Sequence, residues 1–317
     1  GVVGPLAAGQ LVLALLIALG MKETLAGWLP ESVAVHLDGL WVQSQRLWML
    51  LAGGTVLMIL GLIDDRRGID WKIRLGVQTL VAMGIVAFGW RASLFLDVPL
   101  VAEVVSVLWI VGLVNSFNML DNMDGLSAGV AAICGSLLAA VMFLAPDPVT
   151  QQPQLFVGGF LLVFVGAVLG FLGHNFPPAK MFMGDGGSYF LGYLMATTTL
   201  SATFAGYDVP RQTIFVPVVI LAVPLYDTVT VLAIRLRQGR SPFEGDKSHY
   251  SHRLVELGFT KKQAVMIIYL TTTACGLGAL LLYEVPLYGA VLIFLQVLLL
   301  LILVGILETQ GRRARRK

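Results

Sequence analysis

The chain has 317 residues, of which 57% are hydrophobic and 13% charged, with a formal net charge of +2 and a mean hydropathy of +0.84. A soluble domain carries roughly 25% charged residues, so this chain lacks the charge to cover a water-facing surface. The net charge says little by itself, its distribution along the chain says more, and no nucleic-acid partner is expected.

Apolar runs of about 20 residues recur along the sequence, the pattern of an all-α polytopic membrane protein. Ten spans are predicted, at about 2–21, 47–63, 72–89, 101–119, 126–145, 155–173, 188–205, 213–234, 263–283 and 286–307. No linker or shift in composition divides them, so residues 1–317 read as one integral-membrane domain, without the internal repeat of many transporters. Cys134 and Cys275 lie inside apolar runs and read as small core residues. The segment 22–46, with His36, reads as a surface or interfacial loop.

Of the 21 lysines and arginines, only Lys22, Arg46, Arg91 and Arg211 fall on one side of this drawing. The rest fall on the other side, which the positive-inside rule places in the cytoplasm. Trp28, Trp48 and Trp90 fall near the predicted outer ends, where interfacial aromatics are expected. Every suspicious polar cluster lies on the basic side.

The first cluster is Gly61-Leu-Ile-Asp64-Asp65-Arg66-Arg67, at the end of the second span. Adjacent carboxylates repel unless a cation or metal stabilises both. The pair reads either as a Mg²⁺ ligand or general base near an anion held by Arg66, Arg67 and Lys72, or as a solvated helix stop. The second cluster is Asn115-Ser-Phe-Asn118-Met-Leu-Asp121-Asn-Met-Asp124-Gly125. Residues three apart drift about 60° per step around an α-helix, so these four polar side chains cannot share a face. They converge only if the helix stops near Leu120 and 121–125 turns back; helix capping is the alternative.

The third cluster, Phe182-Met-Gly-Asp185-Gly-Gly-Ser188, is a glycine turn around one acid, with Ser188 expected to open a helix whose N-terminus favours phosphate. His174-Asn-Phe-Pro-Pro before it reads as a rigid loop. The fourth lies in the long basic loop: His249 and His252, three apart, with Arg253, read as hydrogen-bonding groups for a phosphate or sugar. A solvated basic loop beside anionic lipid is the alternative. Asp227, inside the eighth span, is expected to pair with an inner Arg or Lys. Acids, bases and glycine turns thus gather at one face of a helical bundle. Mg²⁺ binds through few carboxylates plus substrate phosphates, so the pattern suggests phosphoryl transfer on a diphosphate.

At these residues the sequence resembles the polyprenyl-phosphate N-acetylhexosamine-1-phosphate transferases, a family that includes the MraY, WecA and TagO enzymes. Asp64-Asp65, the Asn115-x-x-Asn118-x-x-Asp121-x-x-Asp124 run and Phe-Met-Gly-Asp185-x-Gly-Ser stand in the family's order over nearly the whole chain. The Ser241-Pro-Phe-x-x-Asp246-x-x-His249-x-x-His252 loop is similar to the WecA/TagO branch. Two positions depart from the pattern: Ser251 replaces a histidine and Asn122 a glycine. The family's first span and the basic loop after it are not in this chain, and restoring that span gives the family's eleven.

The resemblance implies attack by polyprenyl phosphate on a UDP-N-acetylhexosamine, giving a lipid-linked diphosphate sugar and UMP. The expected setting is the bacterial cytoplasmic membrane, with the site facing the cytoplasm and a homodimer as the assembly. It implies Mg²⁺, with Mn²⁺ as a substitute, at Asp185 with Asp65 beside it. Asp64 becomes the candidate base at the acceptor phosphate, Lys72 a phosphate contact, and Asn118, Asp121, Asp124 and Phe182 the surroundings of the uridine. GlcNAc 1-phosphate is the expected group transferred, with the MurNAc-pentapeptide donor of MraY as the rival. An ion-coupled carrier is the rival from another class, but a transport path places its acids at the midplane, not at one face.

Overall fold

The computed structural model describes residues 37–92, 100–145, 153–202, 210–242 and 248–315, with residues 8, 27, 204 and 245 as isolated positions. Side chains of the first and last helices are described over 46–67 and 287–308. The first predicted span apart from Ala8, together with Trp28, His36 and Asp246, lies outside the described residues.

The described chain is helical: α1 (Leu37–Arg67), α2 (Trp71–Ala87), α3 (Val101–Leu120), α4 (Leu126–Leu144), α5 (Leu155–Asn175) and α6 (Gly184–Ser201). There follow a 3₁₀ turn (Arg211–Phe215), α7 (Val216–Ile220), α8 (Ala222–Arg237), α9 (Tyr250–Glu256), α10 (Lys261–Gly276), a second 3₁₀ turn (Leu277–Leu281) and α11 (Leu287–Arg315). Six are long and apolar enough to cross a membrane: α1 over Arg46–Arg67, α3, α4, α5, α10 with its 3₁₀ extension, and α11 over Leu287–Glu308. The segments Arg211–Ile220 and Ala222–Arg237, bent by 69° at their junction, make a seventh if taken as one span.

The remaining predicted spans among the described residues, 72–89 and 188–205, fold as helices but are shorter or more polar. α2 has 17 residues, and α6 has 18 that include Asp185 and a run of three threonines. The protein supplies what lipid cannot to α6. The hydroxyls of Thr197, Thr198 and Thr199 donate to carbonyls one turn back, and the Trp109 indole N–H donates to Thr199 Oγ1 at 2.9 Å. Almost every α6 side chain from Ser188 to Leu200 is buried, against α1 on one side and α3 on the other.

Lipid tails are as apolar as leucine, so close packing rather than expulsion of water holds such helices together. Gly61 shows how close: a Cβ there would stand 2.4 Å from the backbone of Asp185 and Gly186. The helix ends are built locally. Asp70 caps α2, accepting Lys72 N–H at 2.8 Å, and Thr260 with Gln263 forms a capping box on α10.

Two expectations change. α1 extends back to Leu37, so residues 37–46 are helix rather than loop. Trp90, expected at an interface, is 5% exposed and belongs to the core. Cys134 and Cys275 are buried free thiols, as core residues should be.

Candidate active site

Asp185 is where three of the sequence clusters meet. α6 begins at Gly184 rather than at the expected Ser188, which puts Asp185 in the first helical turn. Asp65, at the end of α1, turns its carboxylate onto that terminus and accepts the N–H of Asp185 at 3.0 Å and of Gly186 at 3.4 Å. A carboxylate on free helix N–H groups both satisfies them and complements the helix dipole. From α3, Asn118 Nδ2 donates to Asp185 Oδ1 at 2.8 Å and to Ser188 Oγ at 3.1 Å.

Asp64 is placed differently from its neighbour. It is 7% exposed, and its oxygens accept Ile69 N–H at 2.7 Å, Arg74 Nη1 at 2.7 Å and the Tyr189 hydroxyl at 3.0 Å. The same Arg74 nitrogen lies 4.0 Å from Asp185 Oδ2. Arg74 thus stands between the two acids, anchored on one and facing the other. Lys72, expected beside a phosphate, is exposed, with its ammonium 5.7 Å from the centre of the Trp71 ring.

The helix break that convergence of the second cluster would need is present. α3 stops at Leu120, the chain turns through 121–125, and α4 starts at Leu126. Gly125 closes the turn at φ 74°, a conformation that suits a residue without Cβ. Its N–H is taken by Asn175 Oδ1 at 2.9 Å, while Asn175 Nδ2 donates to Met181 O at 2.8 Å. Asn175 therefore ties this turn to the loop that leads to Asp185.

The run does not all face one way. Asn115, Asn118 and Asn122 line a cavity of about 450 Å³, shared with Arg74, Arg235 and His249. Asn115 Nδ2 is spent on Gln78 Oε1 at 2.7 Å and Val111 O at 2.8 Å. Asp124 instead accepts Ala179 N–H at 3.0 Å, in a separate cleft that also includes Lys261 and Lys262. Phe182 is 76% exposed at the surface.

Asp121 sits at the end of α3 among the other acids. Burial first, then the charges of Asp185, Asp65 and Asp124, push its carboxyl up to about 7. Unrelieved repulsion of this kind favours a cation nearby. Among the described residues no three acidic, histidine or cysteine side chains form a ready-made metal cage. A divalent ion that binds through one or two carboxylates and completes its shell with substrate phosphates needs no such cage, and Asp185 with Asp65 fits that donor set.

In the last cluster His249 precedes α9, 6% exposed, with Nδ1 2.9 Å from Asp227 Oδ2. Asp227 thus pairs with a histidine rather than with the expected Arg or Lys. The His252 ring lies 6.3 Å from the His249 ring, centre to centre. Arg253 is 2% exposed, 2.8 Å from the Glu308 carboxylate on α11, and also donates to Ser248 O and Thr230 Oγ1. Its guanidinium is turned into the fold, where it holds α9 to α11 and α8.

Arg74, Asn175 and Arg235 therefore join the site without having been singled out, and Asp227 joins it through His249 rather than through the expected Arg or Lys. Only Asn175 left a signal, as a polar residue at a helix end just before Pro177-Pro178. A basic residue a few positions beyond an acid pair is ordinary, and nothing in the sequence ranks Arg74 above Lys72.

Residues 47–203 match the family described as glycosyl transferase family 4. The chain is 32% identical to the probable undecaprenyl-phosphate N-acetylglucosaminyl 1-phosphate transferase of Bacillus subtilis, over 84% of this chain and 74% of that protein. It is 31% identical to the decaprenyl-phosphate N-acetylglucosaminephosphotransferase of Mycolicibacterium smegmatis, over 84% and 70%. It is also 31% identical to the undecaprenyl-phosphate alpha-N-acetylglucosaminyl 1-phosphate transferase of Escherichia coli K12, over 80% and 71%.

Proposed function

The chain belongs to glycosyl transferase family 4, and from that premise we propose that it transfers GlcNAc 1-phosphate from UDP-GlcNAc to a polyprenyl phosphate. An oxygen of the lipid phosphate attacks the β-phosphorus of the donor. The bond between that phosphorus and the bridging oxygen breaks, and UMP leaves with the electron pair. The observation that carries this reading is the meeting at Asp185 of groups from α1, α3 and α2: Asp65, Asn118 and Arg74.

Each group has work in such a reaction. Asp65 holds the N-terminus of α6, and Asn118 orients the Asp185 carboxylate. Arg74, pre-set by Asp64, faces negative charge that develops on the diphosphate. Asn115, Asn118, Asn122, Arg235 and His249 wall a cavity within the size range of small-molecule sites, suited to the donor. Asp121, and Asp124 from the separate cleft, are the candidate uridine contacts, with Phe182 and Lys72 exposed at the surface. Asp64, with its oxygens engaged, fits the role of holding Arg74 better than that of a base.

A Mg²⁺ ion, with Mn²⁺ as substitute, would be held by Asp185 and Asp65 and neutralise the diphosphate. The lipid acceptor requires a site open to the bilayer, and the basic loops set this face in the cytoplasm of a bacterial cell. Nine crossings among the described residues, with the bent pair, α2 and α6 counted, and the predicted span 2–21 as a tenth complete the proposed topology.

The test is a donor panel. Purified protein with polyprenyl phosphate and Mg²⁺ should release UMP from UDP-GlcNAc and form a lipid diphosphate sugar. Turnover with another UDP-sugar and none with UDP-GlcNAc would overturn the donor assignment; no turnover with any of them would overturn the transferase reading.

A further inference from the structure

Asp227 stands buried in the apolar α8, 2% exposed, and both its oxygens are committed. Oδ1 accepts the backbone N–H of Tyr250 at 2.6 Å, and Oδ2 lies 2.9 Å from His249 Nδ1. Capping α9 uses only the first of these contacts. The second constrains the imidazole. An ionised carboxylate only accepts, so Nδ1 must carry the proton. Nε2 is then the nitrogen left for a molecule in the cavity that His249 lines with Asn118, Arg74 and Arg235.

We infer that Asp227 is a positioning residue that fixes the ring and tautomer of His249, so that His249 Nε2 accepts a hydrogen bond from a hydroxyl or amide N–H of the nucleotide-sugar donor. The inference rests on the transferase reading and names a contact within it. The chemistry is that of a second residue setting which imidazole nitrogen bears the proton.

The geometry makes Asp227→Asn an informative variant. The Tyr250 N–H is an obligatory donor and keeps the amide oxygen, so the amide NH₂ must face His249 Nδ1. The imidazole then has to shift its proton to Nε2, and the acceptor becomes a donor. Steady-state UMP release should show the KM for UDP-GlcNAc raised about tenfold or more, the size of one hydrogen bond left unmade. The kcat and the KM for polyprenyl phosphate should stay within about threefold, since uniform binding to the donor is what is lost.

The decisive comparison adds Asp227→Asn to His249→Gln, whose amide reaches the place of Nε2 and has no tautomer to set. In that background Asp227→Asn should change the KM by no more than about twofold. The same loss in both backgrounds, or a fall in kcat with both KM values raised, would mean that Asp227 serves only the fold of α9, and would overturn the inference. If Asp227→Asn does not accumulate, the test moves to the protein with Asp227 intact. There His249→Gln should retain at least tenfold more kcat/KM than His249→Asn, whose amide reaches only the place of Nδ1; equal loss overturns the inference. Wild-type turnover of UDP-GlcNAc in the same assay reports on the transferase reading separately.

Discussion

The hydroxyl of Ser251 donates to the side-chain oxygen of Asn122, tying the turn after α3 to α9 at the wall of the cavity. Asn122 Nδ2 is anchored in turn on Met119 O at 2.8 Å. Both residues depart from the pattern that the resemblance implies, so the two departures form one contact. Asn122→Ala and Ser251→Ala should each weaken donor binding, and the double variant should be no weaker than the worse single one. A coupling of about 1 kcal/mol is expected from a thermodynamic cycle on UMP binding. Strictly additive losses would show that the contact carries nothing.

Arg74 is bound to buried Asp64 and stands 4.0 Å from Asp185. Arg74→Met leaves the Asp64 carboxylate without its ion partner. Stability should fall by on the order of 2–3 kcal/mol, below a fully buried pair because Arg74 is partly exposed. The kcat should fall about 100-fold or more, as expected for a group aimed at developing charge. Lys72→Met is the comparison: Lys72 is exposed over Trp71, and its loss should cost much less. A larger loss at Lys72 than at Arg74 would reverse the assignment of the two bases.

The contact between α1 and α6 leaves no room at Gly61, where a Cβ would meet the backbone of Asp185 and Gly186 at 2.4 Å. Gly61→Ala should destabilise by about 1–3 kcal/mol and lower activity further, because the displaced element carries Asp185. Gly76→Ala, where nothing lies within 4 Å of the added methyl, should be silent. Thermal unfolding in detergent and UMP release on the same preparations separate the two effects.

Asp121 gives a pH signature. Its carboxyl is pushed from an ordinary 3.8 up to about 7, by burial and then by Asp185, Asp65 and Asp124. Between those values the folded protein binds more protons than the unfolded chain, so stability falls as pH rises from about 4 to 7 and levels off above. Asp121→Asn should flatten that part of the Tm–pH profile in metal-free protein, and Mg²⁺ should flatten it in the wild type. A wild-type profile that rises with pH across this window would contradict the sign.

Much of this was legible in the sequence because hydrophobic length and helix geometry are local. The apolar runs marked the helices, and the three-residue spacing of 115–124 named the break near Leu120 that convergence would need, which α3 makes. What the sequence did not carry was pairing at a distance. Arg74 acquires its role only when α2, packed on α1 and α3, brings it to the start of α6, and Arg253 meets Glu308 only when α11 packs on α9. Asp227 met His249 rather than a base for the same reason. Helix starts were also blurred: Gly-Asp-Gly-Gly reads as a turn, yet capping by Asp65 from another helix lets α6 begin there.

Metal-dependent transfer by the groups meeting at Asp185 is tested by UMP release from UDP-GlcNAc with polyprenyl phosphate, by wild type and Asp185→Asn, with Mg²⁺ and with EDTA. Wild type with Mg²⁺ should turn over. EDTA and Asp185→Asn should each reduce turnover to background while thermal unfolding shows the variant folded. Release of UMP that survives EDTA or Asp185→Asn would contradict the account.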